Sequence, residues 1–216
     1  KEAIQRIYDE FSAQLESEKF LAIKKSLELI SSTNKNNKKY LNKLGKFVIF
    51  YSLPSVNPEV VIIGNNPSWF DKKDPVKALQ NLDQVAGKIP SVNSYTDHDH
   101  GFGCQIRDVF ISIGKKNLLD EKIVGLNRFW IQTGGGGTQE LKKLSNAIEP
   151  GVMSEIERIC ELNTRKLVEI LSPKIVILLG YHAQKTFSNK DRCDLPNIRF
   201  CDVIHPGNRN GGWKIT

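Results

Sequence analysis

The sequence predicts an α/β protein: a three-layer α/β/α domain around a short four-stranded parallel sheet, preceded by a helical segment. Three observations predict it. Short branched-aliphatic runs alternate with longer amphipathic stretches, the pattern of strands joined by helical crossovers. The run Lys174-Ile175-Val176-Ile177-Leu178-Leu179-Gly180 is apolar throughout its interior, as a strand buried on both faces requires. The 216 residues, 39% hydrophobic, are enough for one sizeable core. A single domain over 1–216 is expected, with 1–45 as its N-terminal helical part.

Residues 2–31 read as helical. Ile4, Ile7, Tyr8, Phe11 and Leu15 recur at three-to-four-residue spacing, and Phe20, Leu21, Ile23, Leu27 and Ile30 continue the pattern. The polar, basic stretch 31–39 breaks it. Phe47-Val48-Ile49-Phe50-Tyr51 reads as an edge strand, ended by Pro54 and Pro58. Glu59-Val60-Val61-Ile62-Ile63 reads as the first core strand.

The long polar region 71–100 has a short helix pattern at 75–82. Stretches of that length in a domain are more often functional than idle. Helix signals return at 105–114, and Ile123 to Trp130 reads as the second core strand. Ser154 to Leu171 is an amphipathic helix, with Ser154 as its N-cap and Pro173 as its stop. Its apolar positions are Ile156, Ile159, Cys160, Leu167, Ile170 and Leu171. The third core strand is 174–180, followed by a short helix from Tyr181 to Phe187. Ile198 to Ile204 reads as a fourth, buried strand.

Two sharply turning polar segments follow strands. Gly64-Asn65-Asn66-Pro67-Ser68 follows the first, and His205-Pro206-Gly207-Asn208-Arg209-Asn210 the fourth. Ligands of open α/β sheets sit beyond the carboxyl ends of the strands. An Asn and a His distant in sequence can therefore meet at one edge. Alone, Asn-Pro often makes a plain turn, and a strand-end His often bonds backbone. The pair, in this order, carries more information than either.

The pair resembles the uracil-DNA glycosylase superfamily, with its Gly-x-Asn/Asp-Pro turn after a strand and its His-Pro-Ser-like turn near the C-terminus. Arg209-Asn210 and the following Gly212-Trp213 are most similar to the single-strand-selective monofunctional branch. The resemblance covers about residues 45–216. It implies a repair glycosylase that flips uracil, or a related damaged pyrimidine, out of DNA and hydrolyses its N-glycosidic bond.

The resemblance also assigns roles. Asn66 holds the attacking water, and His205 hydrogen-bonds the uracil carbonyl O2 and stabilises the departing anion. Pro67 rigidifies the turn, while Gly64 and Asn65 line the base site. Asn127, in Val124-Gly125-Leu126-Asn127, reads the uracil edge: one amide accepts from N3–H and donates to O4, the reverse of what cytosine needs. The stacking ring is Phe102, in His100-Gly101-Phe102-Gly103, or Phe70. Ser68, Pro206, Gly207, Asn208, Arg209 and Asn210 face DNA, with Arg209 wedged where the base has left. Gly207 stands where the family carries a phosphate-contacting serine. No lysine occupies a motif position, so strand cleavage through a Schiff base is not expected.

A net charge of +7 suits a polyanionic partner, though it equally serves solubility. DNA, single- or double-stranded, is the expected partner of a monomeric protein. Cys104, Cys160, Cys193 and Cys201 include no Cys-x-x-Cys, and they read as free, buried thiols. His98-Asp99-His100 lacks a further ligand at zinc spacing, so neither metal nor cofactor is expected. Gly134 to Gly137 is not followed by Gly-Lys-Ser/Thr and is no P-loop.

No apolar stretch reaches the ~20 residues of a membrane span, and no signal-peptide pattern opens the chain. The expectation is a soluble intracellular protein, cytoplasmic or nucleoid-associated. The end at Thr216, soon after the second motif, reads as lacking a final helix. Two other functions fit the same residues: a relative that binds nucleic acid without catalysis, and an α/β hydrolase acting on a small nucleoside-like metabolite.

Overall fold

Four five-residue strands pair in parallel: β1 (Val60–Gly64), β2 (Ile123–Asn127), β3 (Ile175–Leu179) and β4 (Arg199–Val203). Their spatial order is β2-β1-β3-β4. The computed structural model describes residues 48–55, 57–65, 93, 95–96, 101–130 and 150–204, with parts of 2–10. Between the strands run α1 (Gly101–Ser112), α2 (Leu118–Glu121), α3 (Pro150–Leu171), α4 (Gly180–Gln184) and α5 (Asn189–Cys193). The predicted α/β class and four-stranded parallel sheet are present.

Helices cover both faces. On one, Met153, Ile156, Cys160, Leu167, Val168 and Leu171 of α3 pack on Val61, Ile63, Val124, Leu126, Val176 and Leu178. On the other, Ile106 and Phe110 of α1 pack on Val60, Ile62 and Ile123. Alternation along each strand produces the two sets. The strand order explains which helix goes where. The chain crosses one way from β1 to β2 and the other way from β2 to β3 and β3 to β4. Right-handed crossovers then require α1 on the face opposite α3 and α4. Each fully buried large aliphatic contributes about 1.5–3 kcal/mol.

The aliphatic runs give the strands their positions, and the ends differ from expectation. β2 stops at Asn127, three residues early, because Arg128 and the buried rings of Phe129 and Trp130 turn onto α3. β4 was expected to be buried. Among the described residues it is the sheet's edge, with Arg199 and Asp202 exposed and the other three residues half-buried. The 47–51 run forms an antiparallel bridge, Phe50 to Leu126, beside β2. Its hydrogen bonds are Tyr51 N–H to Gly125 O and Asn127 N–H to Ile49 O, both 2.8 Å.

The helices also shift. α1 begins at Gly101, four residues before the expected start, so Gly101-Phe102-Gly103 is helical rather than a loop. α3 begins at Pro150, which places Ser154 inside the helix and not at its N-cap. Proline is favoured in a first helical turn, where its missing N–H costs nothing. Ile170 turns outward and is exposed, the 3.6-residue period having carried it off the buried stripe. Ser172, at φ 45°, and Pro173 end α3. The short helix after β3 stops at Gln184, before the expected Phe187. Described positions in 2–10 are helical, and Glu10 lies 3.8 Å from Lys166 of α3.

On β4 the Arg192 guanidinium grips Asp202 with two bonds, of 2.8 and 3.0 Å. All four cysteines are free, but only Cys160 is buried. Cys193 is exposed, while Cys104 and Cys201 are half-buried, since an edge strand cannot enclose the latter.

Candidate active site at the carboxyl edge of the sheet

The chain leaving β1 turns toward β2, while the chain leaving β3 turns toward β4. The carboxyl ends of the neighbouring strands β1 and β3 are therefore the switch point of the topology, the position where such sheets bind ligands. Gly64 and Asn65 stand on one side of it, Leu179 and Gly180 on the other. Gly180 has φ 81°, which makes the sharp turn from β3 into α4 possible.

Gly64 lies opposite Asn127 in the register, and Leu179 opposite Val203. Val203 is two residues before His205. The ends of β1, β2 and β4, each leading into or carrying a predicted site segment, thus share one edge. Of the predicted site residues, Asn66, Pro67, Ser68, Phe70, His205, Pro206, Gly207, Asn208, Arg209 and Asn210 lie outside the described residues, as do His98, Asp99, His100 and the Gly134–Gly137 run. Phe102 lies in the first turn of α1, and its side chain also lies outside them.

The approach to Asn66 is tightly held. Arg128 N–H donates to Gly64 O and Phe129 N–H to Asn65 O, both at 2.8 Å. These two bonds tie the chain just past β2 to the end of β1 and hold the backbone as far as Asn65. Behind it, buried Arg128 pairs with Glu161 and, at 3.2 Å, with Glu157 of α3. Trp130 Nε1–H donates to Asn127 O at 2.9 Å and to Thr164 Oγ1 at 3.1 Å. Arg128-Phe129-Trp130 therefore anchors the strand ends to α3.

Asn127 is fully buried. Its Nδ2 donates to Val48 O at 2.9 Å and, more weakly, to Ile49 O at 3.5 Å. Its Oδ1 has no hydrogen-bond partner among the described residues. The side chain clamps the outer segment to β2 with its donors and keeps an acceptor in reserve.

Two tyrosines missed by sequence reasoning sit beside these residues. A Cβ on Gly64 would lie 3.4 Å from the Tyr51 ring. A Cβ on Gly125 would overlap the Tyr95 hydroxyl and lie 3.0 Å from Tyr51 Cβ. Both rings are laid over strand glycines, Tyr95 fully buried and Tyr51 half-buried. Burial raises both phenols far above their ordinary range, and Tyr51 raises Tyr95 further. Both stay neutral and can donate. Glycine inside a strand pattern was the available signal, since it often marks a close approach. Ser52 holds the amino half of β2, accepting from Gly125 N–H at 2.9 Å and donating to Ile123 O at 3.2 Å.

Past the end of β3, Tyr181 lies in the first turn of α4 with its ring exposed. Lys185 Nζ lies 4.3 Å from that ring's centroid, and His182 packs edge-on at 5.6 Å. The carboxyl edge thus carries an amide acceptor at Asn127, the Tyr51 phenol beside Gly64, an exposed ring and a cation. Among the described residues, no group of His, Cys, Asp and Glu is placed to hold a metal ion. Among them also, no helix is long and apolar enough to cross a membrane. No family model matches the chain, nor does any curated protein.

Proposed function

We propose that the protein is a monofunctional DNA glycosylase that hydrolyses the N-glycosidic bond of uracil or a related damaged pyrimidine. The observation that carries this reading is that three strand ends share one edge of the sheet: Gly64 at the end of β1, followed by Asn65, Asn127 at the end of β2, and Ile204, next to His205, after β4. The described residues that lead into the two motif turns, and Asn127, lie at the carboxyl ends of their strands, the side of the sheet where such folds bind ligands.

In the reaction, a water oxygen bonds to the sugar C1′ while the bond from C1′ to the base nitrogen breaks. The bonding pair leaves with the base, and the water's proton passes to solvent. An amide such as Asn66 orients the water without removing its proton. His205 stabilises the anion at O2. The acceptor Oδ1 of Asn127 suits uracil N3–H. Its Nδ2 reaches O4 by giving up the 3.5 Å contact to Ile49 and keeping the one to Val48. Tyr181 and Lys185 offer stacking and charge to a nucleic-acid strand.

The test is an end-labelled oligonucleotide with one deoxyuridine, incubated with the protein, heated in alkali and resolved on a gel. A break at the uracil is expected, lost in Asn66→Ala. Salt-dependent DNA binding with no break would leave the binding-only relative. Neither binding nor break would leave the small-metabolite hydrolase.

A further inference from the structure

On the α1 face of the sheet, the described residues cover β1, β2 and Leu179 at the carboxyl end of β3 more fully than the rest of β3 and β4. α1 and Tyr95 bury Val60, Ile62 and Ile123 of β1 and β2. Over β3 and β4, Ile175, Ile177 and Val203 stay half-buried. They floor a cavity of about 340 Å³ walled by Val109 of α1 and by Ile113 just beyond that helix. Ile113 is 57% exposed at its rim. This groove faces away from α3 and begins at the amino ends of the strands. It is independent of the glycosylase reading.

We propose that the groove docks an amphipathic helix of a partner protein, with carboxylates at the end lying over the strands' amino ends. The dimensions fit a helix. α1 lies over β1 and β2, and two strand spacings of ~4.8 Å set the next helix ~10 Å away, the spacing of packed helices. Five residues of β3 run ~16 Å, about three helical turns. The charge selects the partner. Lys115 and Lys174 line the groove, and Arg199 begins β4 on the same face by alternation with Val203. The one acid lining it is Glu59, 3.9 Å from Lys174. An apolar stripe in a groove, oriented by charge at one end, is a common way to recognise a helix.

The probe is a stapled, fluorescein-labelled peptide of roughly four turns, with leucines at i, i+3, i+4 and i+7 and glutamates at one end. Anisotropy with the full chain should show saturable binding. Ile113→Asp, at an exposed position that leaves folding intact, should weaken it about tenfold or more. A matched peptide with lysines for glutamates should prefer the Lys115→Glu/Lys174→Glu protein over the wild type. Absence of binding, indifference to Ile113→Asp, or equal binding of both peptides to both proteins would overturn the proposal. So would a dimer in sedimentation that Ile113→Asp dissociates, because the occupant would then be a second copy of this chain.

Discussion

Asn127 Nδ2 donates to the carbonyl of Val48 at 2.9 Å, tying the end of β2 to a segment 79 residues earlier. The same side chain is the one that would read the pyrimidine edge, so it has both a structural and a chemical task.

The two tasks separate in one variant. Asn127→Asp replaces the donor by an acceptor facing the Val48 carbonyl. Buried, unmatched polar groups cost about 1–3 kcal/mol. The urea midpoint should fall at unchanged slope. Excision of uracil should fall further than the lost folded fraction explains. A midpoint equal to wild type would remove the structural task.

Gly125 and Tyr95 should behave as one unit. Gly125→Ala puts a methyl group into the Tyr95 hydroxyl, and overpacking of this kind costs about 1–3 kcal/mol. Tyr95→Ala frees the space, so the double variant should lose less stability than the two single losses added together. Additive losses in denaturant titrations would contradict the contact.

The thiols should differ in reactivity. Burial pushes Cys160 up to about 12, leaving almost no thiolate at neutral pH, and access is blocked. Cys193 is exposed. Iodoacetamide should label Cys193 in the native protein and Cys160 only after unfolding, as peptide mass spectrometry would resolve. Early labelling of Cys160 would show that α3 opens locally.

Acid should weaken the start of α5. Ser188 Oγ accepts from Asp191 N–H, and the Asp191 carboxylate accepts from Ser188 N–H at 2.7 Å. Slight burial raises the Asp191 carboxyl, but the Ser188 hydrogen bonds and the nearby Arg165 outweigh it, and the result is lowered. A carboxyl lowered by folding adds stability above its unfolded value. That stability fades as pH falls through the folded one. Asp191→Asn should therefore cost stability at neutral pH and progressively less in acid. A cost independent of pH would mean that the charge is irrelevant.

Arg209 is best tested on two substrates. A side chain filling the gap left by a flipped base matters most in duplex, where extrusion costs a few kcal/mol. Arg209→Ala should slow single-turnover excision from duplex more than from single strands. An equal loss on both, matched by weaker binding and a salt slope smaller by about one, would reduce it to a phosphate contact.

The central strands were readable because continuous aliphatic runs such as Val60–Ile63 leave few other structures. The start of β2 at Ile123 was legible in the same way, but its end was not, because Arg128-Phe129-Trp130 continues the apolar run while turning onto α3. The position of β4 was not readable, because strand order comes from how crossovers pack and not from periodicity within a strand. Pro150-Gly151 looks like a stop and opens a helix instead. The Arg128 pairs with Glu157 and Glu161 span about thirty residues and leave no local pattern. Tyr95 sits in a polar stretch whose composition says loop, and only the glycine beneath it hinted at a large ring above.

β4 has a neighbour on one side only among the described residues. Its outer row of N–H and C=O groups is a template onto which a stray strand could add. Asp202, clamped by Arg192 in the middle of that strand, makes such an addition bring a charged pair along with it. Arg199 adds a second charge at the entrance. An ion pair of little weight in folding would thus guard this row against edge-to-edge addition. A variant lacking Asp202 would fold normally and still turn cloudy on standing.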